Sequence, residues 1–244
     1  MSSSAYGMLV VCALVCMLPA AWSQQVFRWK VQDYPDPFSF DSYTQCGRSN
    51  KSNICDPNNI IAKKEADEID SLIWSVYRES RCDCQSCIRN SHGYVIRVAI
   101  MPRMESIYKH GNTSQDRLKD AQMFSYILTR NWAMAGSCNE SLLILYSRYD
   151  GILYTLTLPQ ARHVLEDEAV KRITMQVRPL FDDETMVGKG LMEMIKKYKM
   201  VLMGDREGAL RPKVSQQRSN NAGRLFPSFA LTLLFTAIWI AVSH

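Results

Sequence analysis

Tyr94-Val95-Ile96-Arg97-Val98-Ala99-Ile100 is a β-branched, almost uninterrupted apolar run that Pro102 closes. A run of this kind suits a strand buried on both faces, as in sheets whose crossover helices cover both sides. Two more runs follow, Leu142–Tyr146 and Ile152–Leu158. Asp150-Gly151 between them has the composition of a hairpin turn. Around these runs the apolar period lengthens to that of helix. Ile60–Tyr77 sets Ala62, Ala66, Ile69, Ile73, Val76 and Tyr77 on one stripe, after an Asp56-Pro57 entry. Gln115–Ala135 aligns Leu118, Ala121, Phe124, Leu128, Trp132 and Ala135, and Gly136 stops it. Pro159 opens a helix that turns Val164, Leu165, Ala169, Ile173 and Val177 inward. Asp182-Asp183 cap a last helix burying Val187, Leu191, Met194, Ile195 and Tyr198, and Gly204 ends the folded part. The order helix, strand, helix, strand, strand, helix, helix predicts an α/β fold: a single layered domain over 59–204, with a mixed, partly parallel sheet flanked by helices. That length is ample for one core.

Before this domain, residues 24–58 carry Phe27, Trp29, Tyr34-Pro35-Asp36-Pro37-Phe38, Phe40 and Tyr43 without a helical period. The prolines forbid a central strand. We read an extended aromatic arm that packs on the domain and is pinned by Cys46 and Cys55. After the domain, residues 205–224 read as a stalk in which Arg206, Arg211, Lys213, Arg218 and Arg224 outnumber Asp205 and Glu207. Most of the net charge of +5 lies there. No Lys/Arg-rich run accompanies it, so no nucleic-acid partner is implied.

Charge is segregated. The 29 basic and 24 acidic residues all fall between residues 24 and 224 of the 244, which leaves an apolar segment at each end. Met8–Leu18 has the length of a signal-peptide core, and Ala21-Trp22-Ser23 places small residues at a cleavage site after Ser23, although no Lys or Arg precedes the run. Residues 1–23 are therefore expected to be a signal peptide. Leu225–Val242 is 18 residues long, close to the roughly 20 that a membrane-crossing helix needs. Ser219-Asn220-Asn221-Ala222-Gly223 before it is equally the layout of a lipid-anchor attachment signal. Both readings leave the body outside the cell on a C-terminal membrane anchor.

Eight cysteines fit that compartment. Cys12 and Cys16 leave with the signal peptide, and Cys46, Cys55, Cys82, Cys84, Cys87 and Cys138 remain, an even number that reads as three disulfides. Cys46 and Cys55 can close a short loop. The crowding of Cys82, Cys84 and Cys87 suggests that one of them reaches Cys138. The rival reading is a zinc knuckle of Cys82, Cys84, Cys87 and His92. Asn50, Asn112 and Asn139 begin Asn-x-Ser/Thr sequons between periodic segments, where glycosylation is expected.

A catalytic centre is not legible. The chain has no Gly-x-Ser-x-Gly, no phosphate-cradling glycine loop and no His-Glu-x-x-His. His92, His110 and His163 stand singly, which fits surface positions. Asp182-Asp183-Glu184 could hold a hard cation, but acids at a helix start are ordinary caps. No cofactor, metal or catalytic residue is assigned.

Tyr34-Pro35-Asp36-Pro37, Cys46-Gly47, Cys55-Asp56-Pro57, a helix, Cys82-x-Cys84-x-x-Cys87 and the strand Val95–Ile100 together resemble the modulator of levamisole receptor family of nematodes. The likeness covers about residues 29–205, and its α/β part is similar to the TPM domain. It implies a membrane protein whose ectodomain accompanies a levamisole-sensitive, acetylcholine-gated ion channel and enhances gating without being an enzyme. Two other readings remain open. One is a TPM-type acid phosphatase, in which Asp56, Asp150 and Asp182–Glu184 converge at the strand ends. The other is a lipid-linked surface protein with another partner.

Overall fold

The run beginning at Tyr94 is strand β2, Val95–Met101, inside a four-stranded sheet of order β1-β2-β3-β4. β1 is Ile54–Cys55, β3 is Ser141–Ser147 and β4 is Ile152–Thr157. β1 and β3 run parallel to β2, while β4 returns antiparallel through the Asp150-Gly151 turn, so the sheet is mixed. This architecture belongs to a computed structural model that describes residues 27–108, 113–136 and 138–212.

The period of two along each strand separates two apolar layers. Ile96, Val98 and Ile100 of β2 share one face with Leu142, Ile144 and Tyr146 of β3. That face is covered by α1 (Lys63–Glu79), α5 (Asp167–Val177), α6 (Val187–Leu202) and α7 (Arg206–Leu210). Ala99, Met101, Leu143 and Leu145 point the other way, onto α3 (Ser114–Asn131) and Val31 and Tyr34 of the N-terminal arm. Burial on both faces is what the β-branched run implied.

Helix limits follow local chemistry. α1 buries Ala66, Ile69, Ile73 and Val76, and the Glu65 carboxylate accepts the Ala62 N–H at 3.1 Å. α3 starts on a capping box, with Thr113 Oγ1 accepting Asp116 N–H and Asp116 accepting Thr113 N–H. Asp183 accepts the Thr185 N–H at 2.9 Å and caps the short 3₁₀ turn Glu184–Met186 that leads into α6. In α6, Gly190 lets the helix approach Phe181, since a Cβ there would stand 2.7 Å from the ring. The Tyr198 hydroxyl, pushed up to about 12 by burial, shares a 2.9 Å hydrogen bond with Thr155 Oγ1.

The structure departs from the sequence reading in five places. The arm is not extended. It turns repeatedly, with Asp36 accepting the Phe38 N–H at 2.8 Å, and its end supplies edge strand β1. Leu118 is 41% exposed and Ala135 is exposed. Near its start α3 borders the loop leaving β2, where Asp120 accepts the Ile107 N–H, and the helix stops at Asn131, before Ala135. The helix opened by Pro159 is two helices, α4 (Pro159–Val164) and α5. Leu165 leaves the helical region at φ −99°, ψ 77°, and Glu166 starts a new helix whose first turn holds Asp167 and Glu168. A further short helix, α2 (Gln85–Asn90), lies within the cysteine cluster. Finally, the fold continues past Gly204. Ala209 and Leu210 of α7 are buried, Lys197 Nζ donates to Ala209 O at 2.6 Å, and Gln176 Nε2 donates to Leu210 O at 2.7 Å. The first residues of the expected stalk are therefore packed.

Candidate functional site

Ligands of open α/β sheets bind beyond the carboxyl ends of the parallel strands. Here those ends belong to β1, β2 and β3. The loop leaving β2, the turn leaving β3, the start of α3 and the start of the arm enclose a cleft of about 610 Å³ there. Arg28, Arg103, Arg117, Arg148, Asp120 and Asp150 supply its charges. The arm is held at the rim by two backbone bonds, Trp29 N–H to Arg103 O at 2.9 Å and Glu105 N–H to Trp29 O at 2.8 Å.

The two aspartates serve the loop. Asp150 Oδ2 accepts from Met104 N–H at 2.8 Å and Ser147 Oγ at 2.6 Å. Asp120 accepts from Ile107 N–H, Tyr108 N–H and Ser106 Oγ at 3.0, 3.3 and 2.7 Å. These bonds satisfy loop donors that would otherwise be orphaned. Arg148 Nε donates to Glu184 at 3.0 Å, and its guanidinium lies 5.2 Å from the Tyr149 ring. Arg103 approaches the same ring at 5.9 Å, and its Nε is buried with no hydrogen-bond partner among the described residues.

The acids expected to converge do so only in part. Asp150 lines the cleft and Glu184 reaches its margin through Arg148. Asp182 and Asp183 are exposed on the approach to α6, with Asp183 occupied as a cap. Asp56 is 4% exposed and turns inward. Its Oδ2 accepts the Ile61 N–H at 2.9 Å while Oδ1 has no partner among the described residues. Burial raises its carboxyl above the ordinary 3.8, opposed by the amides of Ile61, Ile60 and Asn58. The cleft itself was missed by sequence reasoning, which offered only Asp150 of its residues as a site candidate. The available signal was position, because Arg103 follows the Pro102 that closes one buried run and Arg148 follows Ser147 at the end of the next.

The six cysteines stand in three close pairs: Cys46 with Cys55, Cys82 with Cys87, and Cys84 with Cys138, at Cα separations of 4.3, 5.6 and 6.5 Å. The last two fall in the usual disulfide range, and the first lies at its lower edge. Cys84 ties α2 to the turn before β3. The sulfurs of Cys82, Cys84 and Cys87 lie within mutual reach, but His92 groups instead with Cys87 and Glu140, so the four proposed zinc ligands do not form one set. His92 stacks on Tyr77 at 5.3 Å, and His163 is exposed. Asn50 and Asn139 are exposed. Asn112, His110, residues 1–23 and residues 225–242 lie outside the described residues, and no described helix is long and apolar enough to cross a membrane.

Residues 29–151, from the arm through the turn after β3, match the family described as "Modulator of levamisole receptor-1". The chain belongs to the modulator of levamisole receptor-1 family. That match includes the cysteine framework and, apart from Arg28, the cleft charges named above. No curated protein matches the chain. A solution structure of the N-terminal domain of a protein from P. gingivalis is similar over 74% of this chain and 96% of that one, with a TM-score of 0.50 and 16% identity. The BA42 protein from the psychrophilic bacterium Bizionia argentinensis covers 58% of this chain and 81% of its own, with a TM-score of 0.40 and 17% identity. The first likeness shows that this chain shares its α/β fold with a bacterial domain, and it shows the fold alone.

Proposed function

We propose that this chain is a non-enzymatic, membrane-anchored auxiliary protein whose ectodomain modulates a levamisole-sensitive, acetylcholine-gated ion channel. The observation that carries this is the family match over residues 29–151. The cleft chemistry supports it. Its two carboxylates are engaged in holding a loop, and its rim is cationic, which suits protein recognition better than metal-assisted hydrolysis. A modulator of this kind acts by binding one gating state of the channel more tightly than the other. The reading includes secretion after cleavage near Ser23, oxidation of the three cysteine pairs, glycans on Asn50, Asn112 and Asn139, and a C-terminal anchor at the plasma membrane.

Co-expression with levamisole-sensitive receptor subunits tests it. Agonist-evoked current is expected to increase, and the chain is expected to co-purify with the receptor. Unchanged current together with no co-purification across a panel of such receptors would overturn it. Treating intact cells with phosphatidylinositol-specific phospholipase assigns the anchor: release marks a lipid link, retention a membrane span.

A further inference from the structure

The cleft at the carboxyl ends of β1–β3 carries an unbalanced positive charge. Four arginines line it against two aspartates. Arg148 is matched by Glu184, and Arg117 donates to Ser114 Oγ at 3.1 Å. Arg28 and Arg103 have no carboxylate partner within ion-pair distance among the described residues, and Arg103 keeps its buried Nε unpaired. Desolvated N–H donors of this kind are costly until they meet an acceptor. Tyr149, 48% exposed between Arg103 and Arg148, adds an aromatic face of the sort enriched at protein interfaces.

From this we infer that the cleft is a docking site for an acidic polypeptide segment of a partner protein, whose Asp or Glu side chains pair with Arg28 and Arg103. Guanidinium forks match carboxylates in a bidentate fashion. The arrangement disfavours a compact phosphate. The loop amides that could cradle one, those of Met104, Ile107 and Tyr108, already donate to Asp150 and Asp120. A dianion among them would also face both of those carboxylates. Carboxylates spaced along an extended chain, about 3.3 Å per residue, can meet the arginines separately and leave the aspartates alone. The site goes beyond the channel reading, because it rests on charge and geometry and names no receptor.

Titration of the full chain with a hexaglutamate peptide at low ionic strength, followed by calorimetry, tests the inference without any channel. Saturable binding is expected, weakening as salt screens it. Arg28→Ser and Arg103→Ser are each expected to weaken it about tenfold, the loss of one charge-assisted bond. Arg172→Ser, exposed on α5 and outside the cleft, is expected to leave it unchanged. Circular dichroism checks each variant, and Arg28, which is exposed, supplies the test by itself should Arg103→Ser misfold. Absence of saturable binding, equal binding by the cleft variants, or tighter binding of pyrophosphate than of the peptide at the same site would overturn the inference. A failure here leaves the modulator reading standing, and failed modulation leaves a positive titration standing.

Discussion

Two buried polar side chains of the arm set testable limits on stability. Tyr34 is wholly enclosed, and its hydroxyl meets Ile100 O at 2.8 Å, Cys55 O at 3.0 Å and Ile100 N–H at 3.0 Å. It thus extends the pairing of β1 with β2 beyond a two-residue strand. Tyr34→Phe keeps the ring but leaves those backbone groups unsatisfied, so urea unfolding is expected to show a loss of about 1–3 kcal/mol. Asp56 lies close by and helps to hold the Tyr34 hydroxyl, already raised by burial, well above its usual range. The buried Asp56 carboxyl has a native pKa above 3.8. An acid raised in this way favours the native state when protonated, fully below the ordinary value, and that contribution is lost as pH rises through the raised one. Asp56→Asn retains an acceptor for Ile61 N–H and does not titrate. The melting temperature of the variant is therefore expected to gain on that of the parent between about pH 3.5 and pH 7. A difference that stays constant across that range would rule the account out.

At the scale of elements, the cysteine pairs and the β2 loop are the features to perturb. Cys84 and Cys138 are 54 residues apart, whereas Cys82 and Cys87 are separated by 5. On chain entropy, closing the longer loop contributes about 4 kcal/mol and the shorter about 2. Replacing Cys84 and Cys138 by Ala is thus expected to lower the urea midpoint more than replacing Cys82 and Cys87. The β2 loop gives a second contrast. Asp120 holds residues 106–108, so Asp120→Ala is expected to loosen that loop, read as faster amide exchange at Ile107 and Tyr108. Strand β2 also carries Arg97, whose guanidinium lies 4.2 Å above the Phe38 ring, donates to Trp132 O at 2.8 Å and approaches Asp36 at 3.7 Å. The one charged residue of an apolar run thereby anchors the arm to the sheet.

For the whole molecule, the arm and α3 cover one face of the sheet and α1, α5, α6 and α7 cover the other. Because both oxygens of Asp120 and Oδ2 of Asp150 are engaged by the loop, and Asp56 is turned inward, the full chain is expected to release no phosphate from a model phosphate ester with magnesium or calcium present. Metal-dependent turnover above a heat-denatured control would restore the phosphatase reading.

Much of this fold was legible along the chain. β2, β3 and β4 and helices α1, α3 and α6 declared themselves by the period of their apolar residues, because burial of a face is written directly into the spacing. β1 was not legible. Two residues carry no period, and Ile54–Cys55 become a strand only because β2 offers a free edge and Tyr34 bridges the gap. The break at Leu165 and the packing of α7 were likewise settled by the core beneath them. The cleft was the least legible part. Arg28, Arg103, Asp120 and Arg148 lie far apart in sequence; parallel strands bring Arg103 and Arg148 to one edge, and the arm and α3 bring Arg28 and Asp120 to the same cleft. The sequence by itself determined the α/β class, the cysteine set and the family, since those rest on local pattern. Only the tertiary structure decided which cysteines pair, which acids are engaged and where positive charge gathers, because those depend on contacts between residues that the chain keeps distant.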